Sequence, residues 1–307
     1  MPRGWQGRKA VMEAVIFNIQ RMSMHDGPGV RSTVFFKGCN LRCRWCHNPE
    51  SICPLPEVEW NPQRCIGCGD CIFVCRTKAR YLEGGRVVYD RERCDGCGLC
   101  AGVCVSEAVR VAGQRMEITD IVNEVEKDLR MYRITGGGVT CSGGEPMLQI
   151  EALEELLQEL KRRQVHTAVD TAGNVPWSFF ERILEAVDLF MFDIKHLDEE
   201  VHRKYTGVSN KRILENFDRL VSKKEVIVRV PVIKMVNEDS LQEIAAFLEG
   251  KGVRMVELLP YHELGMSKYE GLARERERFE APSKEKMKEA LACFRERGIP
   301  VKAAGEH

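Results

Sequence analysis

Between Cys65 and Cys104 the chain uses one cysteine spacing twice: Cys65-x2-Cys68-x2-Cys71-x3-Cys75, then Cys94-x2-Cys97-x2-Cys100-x3-Cys104. Thiolate sulfurs are soft donors suited to iron–sulfur clusters. The chain holds 14 cysteines. Eleven fall into three tight groups, and the others are Cys53, Cys141 and Cys293. In a secreted chain they would suggest disulfides. Here the first residues, Met1 to Lys9, are basic, but the apolar stretch after them is short and broken by Glu13. That makes a poor signal peptide, so a cytoplasmic location is expected, where clustered cysteines bind metal. Met12 just precedes the apolar run, so the leading residues read as a tail or a start-site artefact, with Met1 or Met12 the true start. Paired structural zinc sites are the alternative for the repeat. Zinc sites favour CxxC knuckles separated by a longer loop, which this spacing lacks.

The 2-2-3 spacing matches bacterial two-cluster ferredoxins, in which each fourth cysteine ligates the other cluster. By that rule Cys65, Cys68, Cys71 and Cys104 hold one cluster, and Cys94, Cys97, Cys100 and Cys75 hold the other. Arg76 and Val105 stand where ferredoxins usually carry proline. Gly67, Gly69, Gly96 and Gly98 let the backbone wrap closely.

Outside residues 56–115, strands and helices alternate. Strand-like runs are 33–37, 139–141, 166–170, 189–194, 226–230 and 255–259. Helical apolar spacing recurs at Ile118, Ile121, Val122, Val125 and Leu129, and at Ile150, Leu153, Leu157 and Leu160. Such alternation predicts an α/β fold with a parallel sheet. Six units are too few for an eight-fold barrel, so the expected fold is a partial (β/α)6 TIM-like barrel with an inserted ferredoxin-like two-cluster domain. An open doubly wound sheet is the alternative. The expected domains are residues 1–55, the N-terminal segment and first part of the barrel; 56–115, the insertion, entered at Pro54 and Pro56; and 116–307, the rest of the barrel.

The third cysteine group differs in kind. Cys39-x3-Cys43-x2-Cys46 offers three ligands, so a four-iron cluster there would keep one iron open, as a catalytic zinc keeps one position open. Alternatively Cys53 or another residue completes a closed structural site. Other polar candidates sit at or near the C-terminal ends of strands: Gly143 and Gly144, Asp170 and Thr171, Asp193 to Lys195, Arg229 and His262. That is the end at which (β/α) barrels assemble active sites. Singly, each has a plainer reading, such as a strand–helix turn, a solvated lysine or a surface histidine.

The Cys39–Cys46 pattern, with Trp45 before its last cysteine, resembles the radical S-adenosylmethionine superfamily. Ser142-Gly-Gly-Glu-Pro146 resembles that family's GGEP motif, which contacts the methionine amino group. The segments Met24-His-Asp-Gly-Pro-Gly-Val-Arg-Ser-Thr-Val-Phe-Phe-Lys-Gly-Cys39, Trp45-Cys-His-Asn-Pro49, Tyr205-Thr-Gly-Val-Ser-Asn210 and Tyr261-His-Glu-Leu-Gly-Met266 look like signatures of glycyl-radical-enzyme activating enzymes. The insertion resembles the branch that activates glycerol or choline lyases, isethionate sulfite-lyase, hydroxyproline dehydratase and aryl-substrate enzymes. The resemblance implies three [4Fe-4S] clusters, one catalytic on Cys39, Cys43 and Cys46 and two auxiliary. It implies S-adenosylmethionine held by Trp45, Cys46, His47, Gly143, Gly144, Glu145, Asp193, Ile194, Lys195, Arg229 and His262. It implies reductive cleavage of that sulfonium to methionine and a 5'-deoxyadenosyl radical, which takes hydrogen from a glycine of a partner glycyl radical enzyme. A flavodoxin or ferredoxin would supply electrons. Asp170, Thr171, Met191 and Asp193 match positions that bind a monovalent cation in the pyruvate formate-lyase activator.

Lys plus Arg and Asp plus Glu both total 46, so nothing points to nucleic acid. No apolar run approaches the roughly 20 residues of a membrane span. Two rivals remain: a ferredoxin-like electron carrier, which leaves the Cys39 loop unexplained, and a radical enzyme acting on a small molecule. Cys53, Cys141 and Cys293 read as structural.

Overall fold

The structure is a computed structural model that describes residues 11–304. The basic leader and the question of Met1 as start lie outside the described residues. Thirteen strands form among them: β1 Glu13–Ser23, β2 Arg31–Phe36, β3 Glu57–Trp60, β4 Arg80–Glu83, β5 Arg86–Tyr89, β6 Val109–Ala112, β7 Gln114–Glu117, β8 Gly138–Gly143, β9 His166–Thr171, β10 Leu189–Asp193, β11 Glu225–Val232, β12 Met255–Pro260 and β13 Val301–Ala303.

Nine of them make one sheet in the order β13-β12-β11-β10-β9-β8-β2-β1-β7. From β2 to β13 every pair is parallel. Within that parallel run the order advances in step with the chain and does not reverse. A doubly wound sheet needs such a reversal, so that alternative is set aside. All six expected strands are present, displaced by at most a few residues at their ends. Three strands of the sheet escape the sequence patterns. β1 pairs antiparallel with β2 and with β7, so it lies between them. β13 is three residues long and adds to the far edge.

The helices bury the faces their spacing predicts. Ile150–Arg162 turns Ile150, Leu153, Leu156, Leu157 and Leu160 into the core. The 118–129 pattern is instead divided into Ile118–Glu126 and Leu129–Thr135. The break falls at Asp128, which is buried, accepts two hydrogen bonds from Arg21 (2.8 and 2.6 Å), and accepts a third from Ser32 (3.0 Å).

Residues 57–112 form a separate small unit of two antiparallel pairs, β3 with β6 and β4 with β5. Its halves repeat at 29 positions. That shift carries Cys65 to Cys94, β3 onto β5, β4 onto β6 and the one-turn helix Asp70–Phe73 onto Leu99–Gly102. Gly69 and Gly98 precede those turns at φ 83° and 73°, where a side chain would be strained. Gln114 and Arg115 belong to β7, in the large sheet.

An ionic knot ties the small unit to the sheet. Lys37 leaves β2 fully buried and donates to the Glu50 carbonyl at 2.6 Å and to Glu57 at 3.3 Å. Burial pushes Lys37 down to about 8. Glu57 also receives Arg91 and, at 2.8 Å, Arg274.

Candidate active site

The Cys39–Cys46 loop leaves β2 and is clamped from two sides by backbone hydrogen bonds. Gly38 N and Cys39 N donate to the carbonyls of Ser51 (2.7 Å) and Ile52 (3.2 Å). Arg42 N and Arg44 N donate to Thr206 (2.7 Å) and Tyr205 (2.9 Å). The Tyr205–Asn210 segment is therefore a splint for the cysteine loop. Thr206 is fixed by bonds to His202, and Asn210 by bonds to the His196 and Leu197 carbonyls. Trp45 is 6% exposed and packs edge-on against Phe279 at 6.1 Å and tilted against Tyr205 at 6.0 Å.

The N-terminal signature serves the other end of the strands. Arg31 is fully buried and donates to Thr140 (2.6 Å) and to the Val139 carbonyl (2.8 Å), near the starts of β8 and β9. Asp26 accepts from Ser23 (2.6 Å) and Thr33 (2.8 Å).

A cavity of about 230 Å³ opens at the C-terminal strand ends. Its wall includes Cys39, Cys43, Trp45, Cys46, His47, Gly143, Gly144, Asp170, Thr171, Asp193, Lys195 and Arg229. Every one of the six expected strands thus contributes, because Leu259 and Tyr261 close the ring at β12. With Leu41, Ala172 and Ile233, these two give an apolar side that sequence reasoning missed. Apolar wall residues carry no motif; only Leu259-Pro-Tyr261, beside His262, was within reach.

Four expected residues stand elsewhere. Glu145 is fully buried behind the wall, accepting from Thr171 Oγ1 (2.9 and 2.8 Å), Ala172 N (3.0 Å) and Met147 N (3.3 Å). Its burial pushes it up to about 7, against those hydrogen bonds. Ile194 is buried in the main core, and Met191 in an apolar layer with Ala168, Leu189 and Ile227. His262 is exposed, stacked on His47 at 4.1 Å. Its carbonyl lies 3.0 Å from His47 Nε2. A carbonyl only accepts, so that nitrogen carries the proton and Nδ1 is left as an acceptor. Burial, reinforced by His262 and Arg276, pushes His47 down to about 4, so the ring is neutral at pH 7.

The charges in the wall are paired. Lys195 Nζ lies 2.6 Å from Asp193, and Arg229 lies 2.9 Å from Asp170 Oδ2. Burial opposes both cations, but the carboxylates outweigh it and hold Lys195 and Arg229 above their ordinary ranges. Burial pushes Asp170 up, while the Arg229 guanidinium beside it pulls it down. Asp170 Oδ1 is buried and meets no protein donor. Burial also pushes Cys39 and Cys43 up to about 12 and raises Cys46. As free thiols they stay protonated; a metal bound through their thiolates would release those protons.

In the small unit, one pocket is lined by Cys75, Cys94, Cys97 and Cys100 together, the cross-repeat set expected from the spacing. Among the described residues no three His, Cys, Asp or Glu side chains gather closely enough to share a single metal ion. Cys141 and Cys293 are buried, and Cys53 is half-buried.

Residues 33–248 match the profile of the Radical SAM superfamily. The chain is 41% identical over 303 residues to the trans-4-hydroxy-L-proline dehydratase activating enzyme of Clostridioides difficile, covering 96% of this chain and 100% of that one. It is 38% identical to the choline trimethylamine-lyase activating enzyme of Oleidesulfovibrio alaskensis (94% and 97% covered). It is 42% identical to the isethionate sulfite-lyase activating enzyme of the same organism (85% and 87% covered). Matches of this extent, on an α/β fold with a parallel sheet, show that the chain belongs to the radical SAM superfamily and, within it, to the activating enzymes of glycyl radical enzymes.

Proposed function

We propose that this chain activates a glycyl radical lyase or dehydratase of the choline, glycerol, isethionate or hydroxyproline type, by removing a hydrogen atom from one glycine of that partner. The observation that carries this reading is the single cavity where Cys39, Cys43 and Cys46 meet the ends of six strands. The donor set fits a site-differentiated [4Fe-4S] cluster: three thiols, with no fourth cysteine in the wall. Such a cluster, when bound with S-adenosylmethionine, supplies reductive cleavage of the sulfonium.

The chain's own residues bind, orient and exclude. Lys195 and Arg229 offer positive charge for a carboxylate, and the unused Asp170 Oδ1 offers an acceptor for an ammonium group. His47 Nδ1 offers a neutral acceptor. Leu41, Ile233, Leu259 and Tyr261 supply an apolar bed for a nucleoside and keep water from a reactive carbon. Asp170 and Asp193, the acidic positions that match the monovalent-cation site, are engaged by Arg229 and Lys195.

The sheet is read as a partial (β/α)6 barrel. Laid flat, β2 and β12 would stand about 24 Å apart, five spacings of about 4.8 Å. Yet His47 after β2 stacks at 4.1 Å on His262 after β12. The small unit is read as a ferredoxin-like domain with two auxiliary [4Fe-4S] clusters, supported by the shared pocket of Cys75 with Cys94, Cys97 and Cys100. A cytoplasmic chain with an acidic flavodoxin or ferredoxin as donor fits the free cysteines and the arginine-lined groove behind Cys43, where Arg42 and Arg44 are exposed. No helix among the described residues is long and apolar enough to cross a membrane.

The test is Cys39→Ala. It should abolish S-adenosylmethionine cleavage under dithionite while iron bound by the small unit remains. Wild-type cleavage by the variant would refute the catalytic assignment. Co-incubation with candidate lyases, scored by the glycyl radical's electron paramagnetic resonance signal, identifies the partner.

A further inference from the structure

Arg80 opens β4 with a side chain that is 1% exposed, and its guanidinium nitrogens meet no oxygen or nitrogen acceptor, facing instead the thiol of Cys100. Arg31, equally buried, has Thr140 and the Val139 carbonyl as acceptors. An isolated buried cation is strongly unfavourable unless a counter-charge sits beside it. The groups around the Arg80 guanidinium are mainly aromatic and sulfur-bearing, and Asp95, which lines the same pocket, is bound to Arg76 at 3.1 Å and to Cys97 N at 3.1 Å. The guanidinium lies 4.1 Å from the Tyr89 ring centre and 5.3 Å from that of Trp60. It also lines the pocket formed by Cys75, Cys94, Cys97 and Cys100.

The repeat makes this asymmetric. The 29-residue shift carries Trp60 onto Tyr89 but Arg80 onto Val109, which is 4% exposed. The main-chain amides of both positions face the fourth cysteine of their repeat, Arg80 toward Cys75 and Val109 toward Cys104. The pocket of Cys75, Cys94, Cys97 and Cys100 therefore contains a buried cation at the position where the other repeat has a valine.

We propose that Arg80 is the built-in counter-charge of the auxiliary cluster held by Cys75, Cys94, Cys97 and Cys100, and that it makes this cluster the more easily reduced of the two. The proposal rests on the auxiliary-cluster reading above. A four-iron cluster on four thiolates is dianionic when oxidised and trianionic after taking one electron; no atom is transferred. A cation in a low-dielectric pocket favours the more negative state, and N–H donors to sulfur act in the same direction. Arg80 also bears on Cys71 of the other set, so both clusters feel it, the nearer one more.

The test is a redox titration of the anaerobically reconstituted full chain, followed by electron paramagnetic resonance, with iron and sulfide counted. The catalytic signal is marked by its response to S-adenosylmethionine. Arg80→Met removes charge and keeps length; Arg80→Lys keeps charge. With full iron content, Arg80→Met should lower one auxiliary step by at least tenfold in its reduction equilibrium constant, which is 59 mV for a one-electron couple. Arg80→Lys should shift it less. Unmoved steps in Arg80→Met, or equal shifts in the two variants, overturn the proposal. If Arg80→Met loses iron, the wild type decides: auxiliary steps at least tenfold apart support it, and coincident steps overturn it. Wild-type iron sufficient for one cluster only would overturn the auxiliary-cluster reading itself, a result distinct from the others.

Discussion

Replacing Gly144 by alanine adds one methyl group where three backbone segments meet. Its Cβ would lie 2.2 Å from the Gly38 carbonyl oxygen, 2.8 Å from the Gly38 carbonyl carbon and 3.0 Å from the Ser51 oxygen. These are backbone atoms, so no side chain can swing away. The Gly38 oxygen is also held by Glu145 N at 2.8 Å, and Gly144 N is held to Phe36 O at 3.0 Å. Relief therefore requires moving the Gly38–Cys39 turn by roughly 1 Å, and overpacking of this kind costs about 1–3 kcal/mol. A displacement of about 1 Å at a reacting group can cost about a hundredfold in rate. Gly144 has no left-handed φ, so the effect is steric and not conformational. The assay is 5'-deoxyadenosine production under dithionite, with iron content as control. Gly144→Ala should be slower by about a hundredfold, in line with that sensitivity to misplacement, with the iron of the small unit retained. Gly102→Ala is the matched control: its Cβ would meet nothing within 4 Å, and the residue lies in a helical turn. That variant should be neutral or more stable by up to about 1 kcal/mol. Wild-type cleavage by Gly144→Ala with normal iron would refute the close-approach reasoning.

Glu57→Ala would leave Lys37, Arg91 and Arg274 facing one another without their shared carboxylate. It should destabilise the chain by about 3–5 kcal/mol, the range for breaking a buried ion pair, read as a fall in urea midpoint. Glu145 is raised from 4.5 to about 7, so its stabilising contribution is fully present below pH 4.5 and lost as pH rises through 7. That amounts to about 3 kcal/mol; Glu145→Gln should flatten the urea-midpoint profile between pH 4.5 and 7, and an unchanged slope would refute it. Cys68→Ser should cut activity with a flavodoxin or ferredoxin donor but spare activity with dithionite. Equal loss with both donors would argue against a relay by the auxiliary clusters.

The sequence by itself determined the cysteine groups, the strand–helix alternation, the placement of polar groups at strand ends and the family. These are local signals: spacing along a chain and apolar periodicity survive without knowledge of the fold. It also carried the two-fold repeat of the small unit, whose glycines sit where a left-handed backbone is needed. Only the tertiary structure decided which residues share a wall. Glu145 follows the glycines of its motif, yet its carboxylate turns back to Thr171, while Tyr261, with no motif of its own, faces the cavity. β7 and β13 gain their strand character from pairing with neighbours distant in sequence, β1 and β12, which no short window of residues contains. The Cys39 loop owes its shape to the carbonyls of Tyr205 and Thr206, far along the chain. Arg80 reads in sequence as one more surface arginine. Packing against Tyr89 and four cysteines makes it a buried charge with no carboxylate bound to it, because solvent access is set by packing and not by residue type.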